Sequence, residues 1–211
     1  MVAADKRQHR VELFATILLA VAAVATAWST YQSTRWRGEQ AADYSKATAA
    51  RIQSSEASTR AGQLTQIDIA TFIQWIDAYV AGDQKLGTFY RRRFREEFRP
   101  AFTAWLGTSP RTNPKAPLSP FAMPQYRVSE AEQAKALDAS AGVWADAAGE
   151  ANQRSDNYVL AVVLFASSLF FAGISTKLRS LRQRTVLLGL GWTIFLCAAV
   201  WVAVSPVSFS I

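Results

Sequence analysis

The run Arg91-Arg92-Arg93-Phe94-Arg95-Glu96-Glu97-Phe98-Arg99 gathers the side chains of this sequence best suited to holding an ion. Read as helix, Arg92, Arg95 and Arg99 fall at i, i+3 and i+7 and share one face. Guanidinium groups so placed can grip phosphate or carboxylate in bidentate fashion. Lipid head groups, surface polymers and an acidic partner protein are the ligand classes that fit. The competing outcome is internal pairing, with Glu96 or Glu97 along the helix or with Asp68 or Asp77 from a neighbouring segment.

Catalytic chemistry has little to work with. The single histidine, His9, lies in the N-terminal tail. The single cysteine, Cys197, lies in an apolar run, so no intrachain disulfide can form. The sequence has no HExxH, no Cys/His cluster, no G-x-S-x-G and no phosphate-cradling glycine loop. Glu130, Glu132, Asp138 and Asp146 follow one another along a helix without converging. The sequence therefore predicts no enzyme, no cofactor and no metal site.

What must position the arginines is set by three apolar runs, Leu13–Trp28, Tyr158–Ile174 and Val186–Val204, none of which contains Lys, Arg, Asp or Glu. Each is close to the roughly 17–25 residues a helix needs to cross the hydrocarbon of a bilayer. The net charge of +7 divides unevenly: +1 over residues 1–12, +2 over 29–156 and +4 in the short connection holding Lys177, Arg179, Arg182 and Arg184. Much of the basic excess thus borders the bilayer, and nucleic-acid binding is not expected. Short basic segments stay in the cytoplasm while long loops cross regardless of charge. The expected order is then a cytoplasmic tail (1–12), a first span (13–30), an extracytoplasmic helical domain (31–156), a second span (157–175), a basic cytoplasmic loop (176–185), a third span (186–204) and an extracytoplasmic tail (205–211). Trp28, Tyr31, Trp36, Tyr158 and Trp201 fall near the outer ends of the spans and are expected to anchor them at the interface. Lys6-Arg7, an apolar run and Ala25-Thr26-Ala27 also read as a cleavable signal peptide; the run's near-spanning length favours an uncleaved anchor.

The outer region reads as helix nearly throughout. Residues 38–63 continue the first span with small and polar side chains, and Ser129–Asp156, about 42 Å of helix, leads into the second. Ser129-Glu130-Ala131-Glu132 has the form of a capping box. Paired antiparallel, the two segments make a small-residue stalk in which Ser129 reaches the level of Ala57. Beyond it, Ile69, Phe72, Ile73, Ile76, Tyr79 and Val80 form one apolar face against Asp68, Thr71, Gln74 and Asp77. Gly82 suits a helix end and Asp83 a helix start. Arms over about 57–82 and 83–107 therefore predict a hairpin head, with Pro100 kinking the second arm. Residues 108–127 hold five of the seven prolines. They are expected to form a loop strapped over the head by Phe121, Met123 and Tyr126.

The fold class expected is an all-α membrane protein: three transmembrane helices with a long extracytoplasmic helical stalk and hairpin head. Small residues recur at four-residue spacing in the spans (Ala23/Ala27, Ser168/Ala172, Gly189/Thr193, Ala199/Ala203) and favour close helix packing. The segments Trp36–Ala41, Ala78–Asp83, Arg93–Ala101 and Ser155–Leu160 resemble those of small uncharacterised bacterial multi-pass membrane proteins, and that resemblance implies no assigned activity. The function expected is a non-catalytic scaffold or accessory subunit in the bacterial cytoplasmic membrane. Its partners would be the lipid bilayer, further copies of itself or another membrane protein, and an anionic lipid or surface polymer. A homo-oligomeric pore and a sensory module acting through a partner are the alternatives. No ionisable group lies within the spans to support coupled transport.

Overall fold

The computed structural model describes residues 2–208, with side chains from Gln8 onward. Its elements are α1 (Val2–Ala81), α2 (Gln84–Arg91), α3 (Arg99–Gly107), a single 3-10 turn (Pro120–Ala122), α4 (Ser129–Ser175) and α5 (Leu181–Val204). No strand occurs among the described residues. Three helices, α1, α4 and α5, each contain a stretch long and apolar enough to cross a membrane. The chain divides into two compact units, Met1–Ser45 with Trp144–Ile211, and Lys46–Val143.

In the first unit the core is Ala15, Leu18, Ala22, Ala161, Phe165, Ala172, Leu188, Phe195 and Ala198. Small side chains let the helix backbones approach. The approach is close at Gly191, where an added Cβ would meet Leu18 Cδ2 at 3.2 Å and the Ser168 carbonyl oxygen at 3.3 Å. The Ser168 hydroxyl donates to the Gly191 carbonyl across that contact (2.9 Å). Of the four small-residue pairs expected to pack, only Ser168/Ala172 has both members buried, while Ala23, Ala27, Gly189 and Thr193 are exposed. The packing face of α5 instead carries Leu188, Gly191, Phe195 and Ala198, a 3.6-residue stripe that four-residue spacing alone misplaces. α5 also begins at Leu181, inside the predicted 176–185 loop, so Arg182 and Arg184 are helical. Arg184 is buried, pairs with Glu12 at 3.2 Å and donates to the Ser175 carbonyl at 3.2 Å.

A polar layer closes the same unit. The Ser155 hydroxyl donates to the Ser33 carbonyl (3.2 Å), with Ser33 Oγ 3.0 Å away and Arg37 Nε donating to Ser155 Oγ (3.4 Å). Gln32 is fully buried, and its Oε1 accepts the Ser208 amide (3.0 Å). The Tyr158 hydroxyl donates to the Pro206 carbonyl (3.1 Å).

In the second unit, Ser54 Oγ donates to the Ala134 carbonyl (2.8 Å). This pairing lies within two residues of the register that places Ala57 level with Ser129. Ala57, Ala61, Ala134 and Ala141 are buried. The aromatic core is Phe72, Trp75, Phe94, Phe98, Phe102 and Trp105. The rings meet mostly edge to face, as their quadrupoles favour; Phe72 and Trp105 lie 5.4 Å apart at 81°, and Phe94 and Phe98 5.0 Å apart at 80°. Phe121, Met123 and Tyr126 pack on this core, and Trp105 Nε1 donates to the Pro117 carbonyl (2.7 Å). The Pro-rich segment is thus pinned through the side chains expected to hold it.

Two further expectations need correction. The residues 83–107 are not one helical arm. Pro100 lacks an amide to bond residue 96, and its ring crowds the preceding turn; the chain accordingly leaves helix after Arg91 and resumes at Arg99. The buried stripe on α1 is also rotated from the one expected. It runs through Ala61, Asp68, Phe72 and Trp75, while Ile69, Ile73 and Val80 are exposed. The turn itself follows expectation: Gly82 takes φ 75°, the left-handed conformation that a Cβ disfavours, and Asp83 Oδ1 accepts the Leu86 amide at 2.9 Å.

Candidate functional site

The break between α2 and α3 decides where the arginines go. A helix interrupted at Arg92 leaves carbonyls without their i+4 amides. Arg99 reaches back to them: its Nε donates to the Phe94 carbonyl (3.1 Å) and its Nη2 to the Arg92 carbonyl (3.3 Å). Arg93 sits over Phe89, its guanidinium carbon 3.4 Å from the ring centroid. Arg95 turns inward to Glu97 and to Asp68, the latter at 3.7 Å. The shared helical face expected for Arg92, Arg95 and Arg99 is therefore not formed, because that face requires the very turn that Pro100 removes. Arg92 and Arg99 do come together, joined by Arg91, on the wall of a cavity of about 370 Å³ that Thr88, Thr103, Phe94 and Phe102 complete. Arg95 is not on that wall. Among the described residues, none of these three wall arginines makes an ion pair with a carboxylate.

The inward arginine belongs to a network linking four segments. Asp68, 1% exposed, comes from α1; Arg95 and Glu97 from the α2–α3 connection; Tyr126 from the Pro-rich segment; and Ser129 from the start of α4. The Tyr126 hydroxyl lies 3.3 Å from Asp68 Oδ2 and 3.3 Å from Thr65 Oγ1. Ser129 Oγ donates to Glu97 Oε1 at 2.6 Å, with Glu130 Oε2 3.0 Å away, and the Ser129 amide also bonds Glu97. A carboxylate from another segment thus caps α4, where the helix dipole favours negative charge. The capping box expected within Ser129–Glu132 does not describe this end: helix starts at Ser129 itself, and its hydroxyl is committed to Glu97.

Electrostatics follow from burial. Burial pushes the Asp68 carboxyl above the ordinary aspartate value, against the pull of Arg95 and of the Tyr126 hydroxyl. The Ser129 hydroxyl, then Arg95, hold Glu97 below the usual glutamate value. Burial opposes the charge on Arg95, but Glu97 and Asp68 together raise its pKa. Burial, with the Asp68 charge adding to it, raises the Tyr126 phenol. Asp68 Oδ1 and Arg95 Nη1 are buried without a hydrogen-bond partner, since 3.7 Å is ion-pair but not hydrogen-bond range. Among the described residues, no three His, Cys, Asp or Glu side chains gather as metal ligands.

The expected interface anchors divide. Trp28, Tyr31 and Trp201 are exposed on the first unit, the first two with rings 6.0 Å apart. Trp36 (5% exposed) and Tyr158 (1% exposed) are instead interior, packed together with Ala151, and Arg154 sits 4.7 Å over the Trp36 ring. Neither presents a face to lipid. Their position at a span end gave no sign of this, because depth along a helix says nothing of which side a residue takes. Pairing of Asp68 with an arginine was one of the expected outcomes, whereas the Glu97–Ser129 clamp and the buried Gln32 had no legible signal. Compared with known proteins, the chain matches no family model, no curated protein and no solved structure.

Proposed function

We propose that this chain is a three-span, non-catalytic integral membrane protein that serves as an oligomeric scaffold or accessory subunit. Its helical stalk and hairpin head lie outside the cytoplasm of a bacterial cell, and the N-terminal tail and the Lys177–Arg184 connection lie inside. The apolar stretches of α1, α4 and α5 support insertion, and the short basic segments support that orientation.

The observation that carries the assembly role is a largely exposed apolar stripe on α1 in the second unit. Ile69, Ile73 and Val80 are exposed on it at spacings of four and seven residues, and Ile76, which completes the seam spacing of a coiled coil with β-branched residues throughout, packs partly against the aromatic core. Ile73 is 50% and Val80 79% exposed, in a region that the proposed topology would leave in water. Such a surface is covered by a partner more often than left wet. The cavity formed by Arg91, Arg92 and Arg99 supplies a cationic face beside α2 for an acidic group on that partner or on a surface polymer. Native mass spectrometry of the protein gently extracted from its membrane tests the reading. A discrete oligomer or heteromer is expected, and Ile73→Asp with Val80→Asp should reduce it to a monomer. A wild-type monomer with nothing bound would sink the proposal.

A further inference from the structure

Within the first unit, α1 and α5 leave a groove of about 970 Å³. Its body is apolar, made by Val11 and Phe14 of α1 and by Val186, Leu188 and Trp192 of α5. Its end is basic: Arg10 and Arg182 also line it, each one helical turn before the apolar residues Phe14 and Val186. Gly189 leaves the floor open, since a Cβ there would meet nothing within 4 Å.

Among the described residues, no carboxylate pairs with the arginines of the groove. Glu12 is taken by Arg184, whose Nε is also committed to the Ser175 carbonyl. The sequence from Thr176 to Ile211 contains no Asp or Glu. Arg10 and Arg182 make no ion pair among the described residues. A second copy of this chain is a poor occupant, because its spans hold no acid, and of the two acids in its N-terminal tail, Asp5 and Glu12, Glu12 is already paired. A small water-soluble anion would leave the apolar body empty. An amphiphile with an anionic head satisfies both ends.

We infer that this groove is a binding site for an anionic phospholipid, with the phosphate between Arg10 and Arg182 and an acyl chain along Phe14, Val186 and Trp192. Two guanidinium groups at the membrane surface attract an anionic head group, and neither needs to leave the polar boundary to do so. The inference rests on the membrane reading above but not on the assembly role.

The test uses the full-length protein in mild detergent, titrated with phosphatidylglycerol or phosphatidylcholine and read by native mass spectrometry. The wild type should retain one phosphatidylglycerol in preference to phosphatidylcholine by about tenfold or more. Arg10→Gln with Arg182→Gln should abolish that preference. Gly189→Trp, whose Cβ would meet no protein atom within 4 Å, places a bulky ring in the groove and should lower retention of both lipids. Lys177→Gln with Arg179→Gln removes the same charge outside the groove and should change little. Equal loss in that control, full retention in Gly189→Trp, or a dimer that only Gly189→Trp dissociates would each overturn the lipid site. An alkaline carbonate wash separates the two levels of failure. A protein released by it refutes the membrane reading itself, whereas one that stays but shows no lipid preference refutes only the site.

Discussion

The two units of this chain are both helical, yet their interiors are made of opposite materials. The first packs on Ala15, Ala22, Ala161, Ala172 and Ala198 with a few larger side chains, and the second on six aromatic rings. The contrast is the one expected if the proposed topology holds, with the first unit in lipid and the second in water. Between helices in lipid, burying apolar area gains little, so contact comes from small residues that let backbones approach. In water the gain scales with area removed, and aromatic rings bury the most per residue. α1 serves both regimes with one helix: Leu18 faces Gly191 in the first unit, and Phe72 and Trp75 enter the aromatic core of the second.

The largest effect that would break this contrast is loss of a central ring. Phe98 is fully buried and contacts Phe72, Phe94, Phe102, Phe121 and Tyr126. Phe98→Ala is expected to destabilise the second unit by about 3–5 kcal/mol, read as a lowered unfolding midpoint in near-ultraviolet circular dichroism. Proteolysis should then open residues 92–127 while α5 stays protected. If α5 became equally labile, the two cores would not be energetically distinct.

The reciprocal change strikes the small-residue core. At Gly191 a larger side chain must push against Leu18 and the Ser168 carbonyl at 3.2 and 3.3 Å, and backbone cannot give way as a flexible side chain can. Gly191→Leu should cost about 1–3 kcal/mol, measured as a lower detergent-dependent unfolding midpoint, with Gly191→Ala milder. Gly189→Leu, with nothing within 4 Å, should be tolerated. Equal damage at both glycines would mean that helix propensity, not close approach, sets the cost.

Legibility differed between the units for related physical reasons. Apolar run length made the three spans plain, and turn chemistry made Gly82 and Asp83 plain, because each depends on local residues alone. The face that α1 buries was misread. Ile69, Ile73 and Val80 are the more apolar choice, but Asp68 is carried inside because Arg95 and Tyr126 are there to meet it. The sequence offered that pairing as one outcome, but no local pattern chooses it over a solvent-facing Asp68. The arginine face failed in the same manner: i, i+3, i+7 spacing implies a shared face only where helix persists, and Pro100 ends that condition at the α2–α3 break. Arg91, which the spacing argument left aside, joins Arg92 and Arg99 on the cavity wall for that reason.

The smallest effect tests whether Asp68 is a tolerated expense of this arrangement or a support for it. Burial raises its carboxyl above the ordinary value of 3.8, so the folded state holds the Asp68 proton more tightly than the unfolded chain. As pH climbs past 3.8 the unfolded chain releases that proton first, and Asp68 therefore subtracts stability progressively until its folded pKa is passed. Glu97 works in the opposite sense. Its carboxyl is held below 4.5 by Ser129 and Arg95, so its contribution is present above 4.5 and is lost as pH falls through the lowered value. Asp68→Asn keeps the shape and an oxygen for the Tyr126 hydroxyl while removing the titration, and Glu97 remains to hold Arg95. The variant should gain on the wild type as pH rises from 4 towards neutrality, seen as diverging unfolding midpoints of the second unit. Midpoints that instead converge with rising pH would show that the ionised Asp68–Arg95 pair outweighs the burial of its charge.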